Sequence, residues 1–210
     1  YERLQPAIEE VLHALERGEL REEVNRILLA QMATMHALNA RYDLLVWESD
    51  IVRAGLLQKA LALLEQSPHV FRPREGKYAG ALVMDASPVI PGLEDPFFVL
   101  LRSNGTATYY AKDIAFQFWK MGILEGLRFR PYENPYYPGL RTSAPEGEAY
   151  TPKAEETINA IDVRQSHPQA LVRAALALAG YPALAEKAHH LAYETVLLEG
   201  RQMPGRRGLA

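Results

Sequence analysis

Apolar residues recur three or four positions apart through the first third of the chain. The segments 6–17, 22–38 and 51–66 each show this spacing. An apolar stripe with a helical period is typical of amphipathic helices. The pattern therefore predicts a mainly helical portion over residues 1–66.

Shorter apolar runs follow, over residues 70–71, 78–84 and 97–101, and they are separated by Pro, Gly and Asp. Short runs bounded by such residues indicate strands and turns. The pattern then predicts a helix over 108–121, a strand over 157–163, a helix over 165–180 and a strand over 189–198. Strands alternating with helices build parallel sheets, so we expect an α/β fold over residues 67–210.

Residues 131–152 interrupt this alternation. They contain five prolines, two glycines and four tyrosines. We expect a long irregular loop here, and loops of this length in compact domains usually have a function.

Composition and charge limit the class of protein. With 48% hydrophobic and 23% charged residues, the chain is typical of a globular protein, and its net charge of −3 gives no sign of a nucleic-acid binder. Uninterrupted apolar runs such as 97–101 are far too short to cross a bilayer. We expect a cytoplasmic protein with no membrane partner. Because the chain begins at Tyr1 and stops after a basic stretch, we also expect a fragment of something longer.

Common catalytic motifs are absent from the sequence. It has no cysteine, no G-x-S-x-G, no P-loop and no H-E-x-x-H. His189 and His190 are adjacent, and adjacent strand residues point to opposite faces, so we expect no metal site.

Tyr109 and Asp113 lie four residues apart in the predicted helix 108–121, so their side chains share one face. The helix follows a buried strand and a tight turn, and ligands of open α/β sheets bind beyond the strands' carboxyl ends. A carboxylate beside a phenol suits a planar cation such as a guanidinium. The alternative is that Asp113 caps or charges the first helical turn while Tyr109 packs, and spacing alone favours that alternative.

Two further positions follow the predicted strand 157–163. Gln165 is a ligand candidate or a group that satisfies helix N–H donors, and His167 is a ligand candidate or a surface histidine. The segment 199–208 has three glycines and three arginines, which suits a loop closing over phosphates or a solvated basic linker.

Taken in order, three motifs resemble those of class I arginyl-tRNA synthetases. Residues 101–115 read LRSNGTATYYAKDIA and are similar to that family's R-S-D-G-T-x-T-Y-x-x-[RK]-D-I-A segment. The next matching segment is Asp162-Val163-Arg164-Gln165-Ser166-His167. The H-x-x-[FY] strand of the family is matched by His190-Leu191-Ala192-Tyr193, and its KMSKS-type loop is matched by Met203-Pro204-Gly205-Arg206-Arg207-Gly208. The resemblance covers residues 97–208.

The resemblance implies a Rossmann-like, partial catalytic core and a two-step reaction. Arginine attacks ATP, which is bound with Mg²⁺, to give arginyl-adenylate, and tRNA(Arg) then takes the arginyl group. Such chemistry needs positioning and charge stabilisation, so no side-chain nucleophile is expected. We expect a monomer with no tightly bound cofactor.

The resemblance also assigns residues to substrates. Tyr109 and Asp113 match the positions that hold the guanidinium of arginine, and Gln165 matches a contact nearer its ammonium. ATP is assigned to positions matching His167, His190, Met203 and Arg206.

Departures from the family pattern concern the nucleotide. Gln202 stands where lysine is usual, Pro204 stands where serine is usual, and no H-x-G-H occurs in the sequence. Proline fixes φ and removes an N–H donor in a loop that must rearrange. We therefore expect these 210 residues alone to be inactive. The alternative is a non-catalytic paralogue or module that binds a cationic small molecule or a protein partner.

Overall fold

We describe a computed structural model of the chain over residues 5–17, 19–194, 197–198 and 201–202. Its helices are α1 (Gln5–Arg17), α2 (Arg21–Ala37), α3 (Glu48–Arg53), α4 (Leu56–Leu64), α5 (Tyr109–Lys120), α6 (Ser166–Leu178) and α7 (Pro182–Glu186). A 3-10 turn, Val163–Gln165, leads into α6.

The strands form several small sheets. They are β1 (Leu44–Leu45), β2 (Val70–Phe71), β3 (Leu82–Asp85), β4 (Phe97–Leu101), β5 (Arg128–Pro131), β6 (Arg141–Ser143), β7 (Glu148–Ala149), β8 (Thr157–Asp162), β9 (Ala188–Tyr193), β10 (Leu197–Leu198) and β11 (Arg201–Gln202). The sheet orders are β1-β6-β5-β7, β2-β3-β4, β8-β9 and β10-β11.

The α/β class predicted from the sequence is confirmed. Strands β8 and β9 pair in parallel, from Thr157 opposite Ala188 to Asp162 opposite Tyr193, and α6 lies between them in the chain. Strands β2, β3 and β4 form an antiparallel sheet, so the described sheets are of both kinds.

The helical portion differs from the prediction in one place. The helix predicted over 51–66 is two helices, α3 and α4, which meet at Gly55. Gly55 has φ of +70°, a left-handed conformation that favours glycine and ends a continuous helix.

Residues 131–152 are more ordered than predicted. Strands β6 and β7 lie in this segment, and β6 pairs in parallel with β1 and antiparallel with β5. The expectation of a wholly irregular loop is wrong because strand pairing is set by distant partners, and the prolines fall at strand ends or between strands. Likewise, the strand predicted over 189–198 ends at Tyr193, and Leu197 begins the separate β10.

Helix α5 is central to the main core. It packs against α4 and α6, and its apolar face is fully buried. Ile114, Phe118 and Trp119 on this face are at most 2% exposed. This burial fixes the rotation of α5 and therefore the direction of its polar face.

A buried carboxylate joins the helical portion to the β1-β6-β5-β7 sheet. Asp50, 4% exposed, lies 2.5 Å from Arg21 on α2 and 3.0 Å from Arg53 on α3. It also accepts a hydrogen bond from the Ser143 hydroxyl on β6 at 2.7 Å. The carboxylate thus holds three elements together, and its burial is offset by these partners.

Asp50→Asn should destabilise the chain. The substitution removes the charge that both arginines pair with, and we expect a loss of about 2 kcal/mol or more in the free energy of unfolding. Urea denaturation followed by circular dichroism measures this loss. Glu65→Gln removes an exposed carboxylate 3.9 Å from Arg72 and should have a much smaller effect; equal losses for the two variants would contradict this role of Asp50.

Gly147→Ala should be much more harmful than Gly139→Ala. Both glycines have positive φ, but a Cβ at Gly147 would overlap the backbone carbonyl of Phe129, whereas a Cβ at Gly139 meets nothing within 4 Å. Both substitutions place a side chain at positive φ, +143° at Gly147 and +82° at Gly139, and only the one at Gly147 also meets an overlap. Melting temperatures test this, and a similar decrease in both would show that the approach of residue 147 to β5 is not tight.

Candidate functional site

The start of helix α5 is fixed to the end of strand β4. The Thr108 hydroxyl donates to the Val99 carbonyl at 2.8 Å, and the Thr108 amide donates to the Leu100 carbonyl at 3.0 Å. Between strand and helix, the side-chain oxygen of Asn104 accepts from the Thr106 amide at 3.0 Å. This Asx turn matches the tight turn that the sequence predicts. The junction determines where the first two turns of α5 lie.

Tyr109 lies at this start and does not pack into the core. It is 53% exposed, and its ring centroid is 4.0 Å from that of Tyr110. Desolvation, a hydrogen bond with Tyr110 and the charge of Asp113 raise the pKa of Tyr109 to about 12. The phenol therefore stays protonated at physiological pH and is available as a neutral hydrogen-bonding group.

Asp113 lies one turn further along the same face. The first turn of α5 contains no acidic residue, so the alternative in which Asp113 caps the helix is not observed. Desolvation raises the pKa of the Asp113 carboxyl, Glu48 raises it further, and Lys120 and Lys112 oppose the rise. Asp113 is nevertheless exposed, so its carboxylate is accessible to a cation that enters the site.

Gln165 and His167 lie where β8 leads into α6. Gln165 is exposed, and its side chain makes no capping hydrogen bond to α6, so the capping alternative is not observed for it either. His167 is also exposed, with its ring 5.1 Å from that of Phe98 on β4. Phe98 also lies 6.5 Å from the ring of Tyr110. The ring of Phe98 therefore brings the starts of α5 and α6 together.

His190 is held against the parallel strand pair. Its Nε2 lies 3.0 Å from the Ile161 carbonyl on β8. A carbonyl only accepts, so Nε2 is the ring nitrogen that carries the hydrogen. His190 lies opposite Asn159 in the β8–β9 register.

A polar network behind the site is not among the residues singled out from the sequence. The Lys120 ammonium donates to Asn159 Oδ1 at 2.6 Å, and the Asn159 amide donates to Gln169 Oε1 at 2.8 Å. The Gln117 amide donates to the Thr157 hydroxyl at 2.7 Å. Two features of the sequence could have identified this network. Lys120 follows Asp113 by seven residues and so shares its helical face, and Asn159 is a polar residue within an apolar strand.

Two site candidates cannot be compared with the structure. Met203 and Arg206 lie outside the described residues.

In the part of the chain that is described, no helix is long and apolar enough to cross a membrane. The same part contains no group of three or more His, Asp or Glu residues that could hold a metal ion.

The chain is similar throughout to part of a longer enzyme. It is 99% identical over 210 residues to an arginine–tRNA ligase of Thermus thermophilus, covering 100% of this chain and 36% of that protein. It is 50% identical to the arginine–tRNA ligase of Deinococcus radiodurans, covering 99% of this chain and 35% of that protein.

A solved structure is similar as well. The Thermus thermophilus arginyl-tRNA synthetase matches with a TM-score of 0.91 and 98% identity, over 98% of this chain and 35% of that one. No family model matches the chain. The chain spans about a third of the length of the curated relatives that it matches.

Proposed function

Because the chain belongs to the class I arginyl-tRNA synthetase family, as one segment of the longer enzyme, we propose that it supplies the arginine pocket of an arginine–tRNA ligase. The whole enzyme activates arginine with ATP to arginyl-adenylate and transfers the arginyl group to tRNA(Arg). The observation that carries this proposal is the placement of Asp113 and Tyr109, both exposed, four residues apart on one face of α5. Near-identity to arginine–tRNA ligases along the whole chain weighs against a non-catalytic paralogue.

In this proposal Asp113 accepts two hydrogen bonds from the substrate guanidinium. A guanidinium presents its N–H groups in a planar fork that matches the two oxygens of a carboxylate. Tyr109, neutral because of its high pKa, completes the contact without adding a charge. Gln165, exposed at the end of β8, binds nearer the ammonium of the substrate.

We assign ATP to residues that lie outside helix α5. His167 and His190 are assigned to the ATP site, and Met203 and Arg206 are assigned to it by their match to the KMSKS-type motif. Arg206 supplies positive charge where pyrophosphate leaves. Mg²⁺ enters this proposal with ATP, as part of that substrate.

No residue of this chain acts as a nucleophile in the proposed reaction. The carboxylate of arginine attacks the α-phosphate, pyrophosphate leaves, and the protein positions the two substrates and stabilises charge. The 210 residues contain no H-x-G-H motif, so the segment alone makes no arginyl-adenylate. We place the enzyme in the cytoplasm, where protein synthesis uses it, and propose that it is a monomer.

Asp113→Asn tests the pocket. In a full-length arginine–tRNA ligase that carries this segment, the variant should bind arginine about 10- to 100-fold more weakly, because a charge-assisted pair is lost. Isothermal titration calorimetry measures the dissociation constant. Citrulline, which has the shape of arginine without its charge, should bind weakly to both proteins.

The matched control is Asp95→Asn, since Asp95 is an exposed carboxylate in the loop before β4 and is paired with Lys77. It should leave arginine binding unchanged. Equal affinity of Asp113→Asn and the unmodified enzyme for arginine would contradict the assignment of Asp113.

A further inference from the structure

The two ends of the proposed pocket belong to different elements. Tyr109 and Asp113, assigned to the guanidinium, are on α5, whereas Gln165, assigned to the ammonium end, directly precedes α6. The separation of these two ends must match the length of the substrate between its guanidinium and its ammonium. The contacts that hold α5 and α6 at one separation therefore also determine which substrate fits.

A single side-chain amide joins the two helices one turn beyond these residues. Gln117 is four residues after Asp113 on α5, which is about one helical turn. Gln169 on α6 is likewise four residues after Gln165. The Asn159 amide nitrogen on β8 donates to Gln117 Oε1 at 3.3 Å and to Gln169 Oε1 at 2.8 Å. Asn159 therefore bridges the helical turn that follows one end of the pocket and the turn that follows the other.

The orientation of the Asn159 amide is fixed by a third partner. Its Oδ1 accepts a hydrogen bond from the Lys120 ammonium at 2.6 Å. A side-chain amide has one oxygen that accepts and one nitrogen whose two hydrogens donate. Since the oxygen is engaged with Lys120, the nitrogen is directed to the two glutamines. A flipped amide would place its nitrogen against the ammonium, which only donates, so one orientation satisfies all three partners.

These hydrogen bonds are largely removed from water. Gln117 is 1% exposed and Gln169 is 7% exposed. The Gln117 amide nitrogen also donates to the Thr157 hydroxyl on β8 at 2.7 Å, and Thr157 is buried as well. Leaving a buried polar group without its partner costs free energy, so α5 and α6 cannot shift independently of β8 without that cost.

Directional contacts fix the separation of two helices more precisely than apolar contacts do. Buried apolar residues on both helices, such as Phe118 on α5 and Val172 on α6, supply attraction, but hydrophobic burial is non-directional. Hydrogen bonds weaken outside a narrow range of distance and angle. A buried polar network whose members are all satisfied therefore specifies one arrangement of the elements that it joins.

We propose that Asn159 is a positioning residue that fixes the separation of the two ends of the arginine pocket and thereby selects the substrate by its length. The inference rests on the proposed function, since it takes Asp113 and Gln165 as the residues that bind the two ends of arginine. Asn159 itself touches no substrate. Its effect is on the discrimination between arginine and an amino acid whose guanidinium is one methylene further away.

Asn159→Leu tests the proposal in a full-length arginine–tRNA ligase that carries this segment. Leucine has a similar volume and makes none of the three side-chain hydrogen bonds. Isothermal titration calorimetry measures the dissociation constants of arginine and of homoarginine, which is one methylene longer. The unmodified enzyme should prefer arginine. The variant should lose about 10-fold of that preference, since a well-fitted pocket discriminates one methylene by roughly 10- to 200-fold.

Two substitutions on α6 test the same bridge without changing β8. Gln169→Leu removes the oxygen that accepts from Asn159, so it should also lower the preference for arginine, and it gives the same readout where Asn159→Leu does not fold. Gln169→Glu keeps an accepting oxygen at that position and should preserve the preference. An equal loss in Gln169→Glu and Gln169→Leu would contradict a role of this hydrogen bond.

The matched control is Asn25→Leu. Asn25 is a half-buried asparagine whose Oδ1 accepts from the Tyr132 hydroxyl at 2.7 Å, which joins α2 to the residue after β5. The substitution breaks an asparagine hydrogen bond between elements that carry none of the proposed pocket residues. It should therefore leave the ratio of the two dissociation constants unchanged.

The outcomes separate this inference from the proposed function. If Asp113→Asn and Gln165→Ala weaken arginine binding but the ratio is unchanged in both Asn159→Leu and Gln169→Leu, the inference is wrong and the pocket stands. Equal weakening of arginine and homoarginine belongs to that case, because it indicates a structural role only. If Gln165→Ala has no effect, the inference fails while Asp113 keeps its assignment. If Asp113→Asn has no effect, the pocket and the inference both fail.

Discussion

The hydrogen bond from the Thr108 hydroxyl to the Val99 carbonyl is the contact on which the proposed pocket depends. It ties the first residue before α5 to the strand that precedes it, so the helix starts at one defined point. The buried face of α5, which includes Ile114 and Phe118, then fixes the rotation of the helix. With start and rotation both fixed, the backbone determines where the Tyr109 and Asp113 side chains begin, before any substrate is present.

The charges of the site depend on one another over a longer distance. Desolvation and the charge of Glu48 raise the pKa of the Asp113 carboxyl, and the charges of Lys120 and Lys112 lower it. Lys120 is in turn held by Asn159 on β8, and Asn159 by Gln169 on α6. The polar groups around the proposed pocket thus come from three elements, although only α5 supplies the carboxylate. A pocket that must bind a guanidinium at neutral pH needs its carboxylate to remain charged in spite of desolvation.

Local patterns in the sequence predict the elements of the site well. The α5 helix, the β8 strand and the α6 helix all lie where spacing and turn residues predict them, because these signals act within a few residues. The pairing of β6 with β1 was not predictable, since their residues lie about a hundred positions apart and meet only through the fold. The Lys120–Asn159 contact has the same origin. Residue roles were carried by the family resemblance, because spacing alone does not distinguish a ligand-binding Asp113 from a helix cap.

The central claim is that Asp113 binds the guanidinium of arginine, and a crystal structure of the full-length enzyme with arginine tests it most directly. The account predicts both guanidinium nitrogens within hydrogen-bonding distance of the Asp113 carboxylate, with the Tyr109 hydroxyl against the same group. A well-ordered arginine whose guanidinium lies against other residues, with Asp113 facing solvent, would contradict the account.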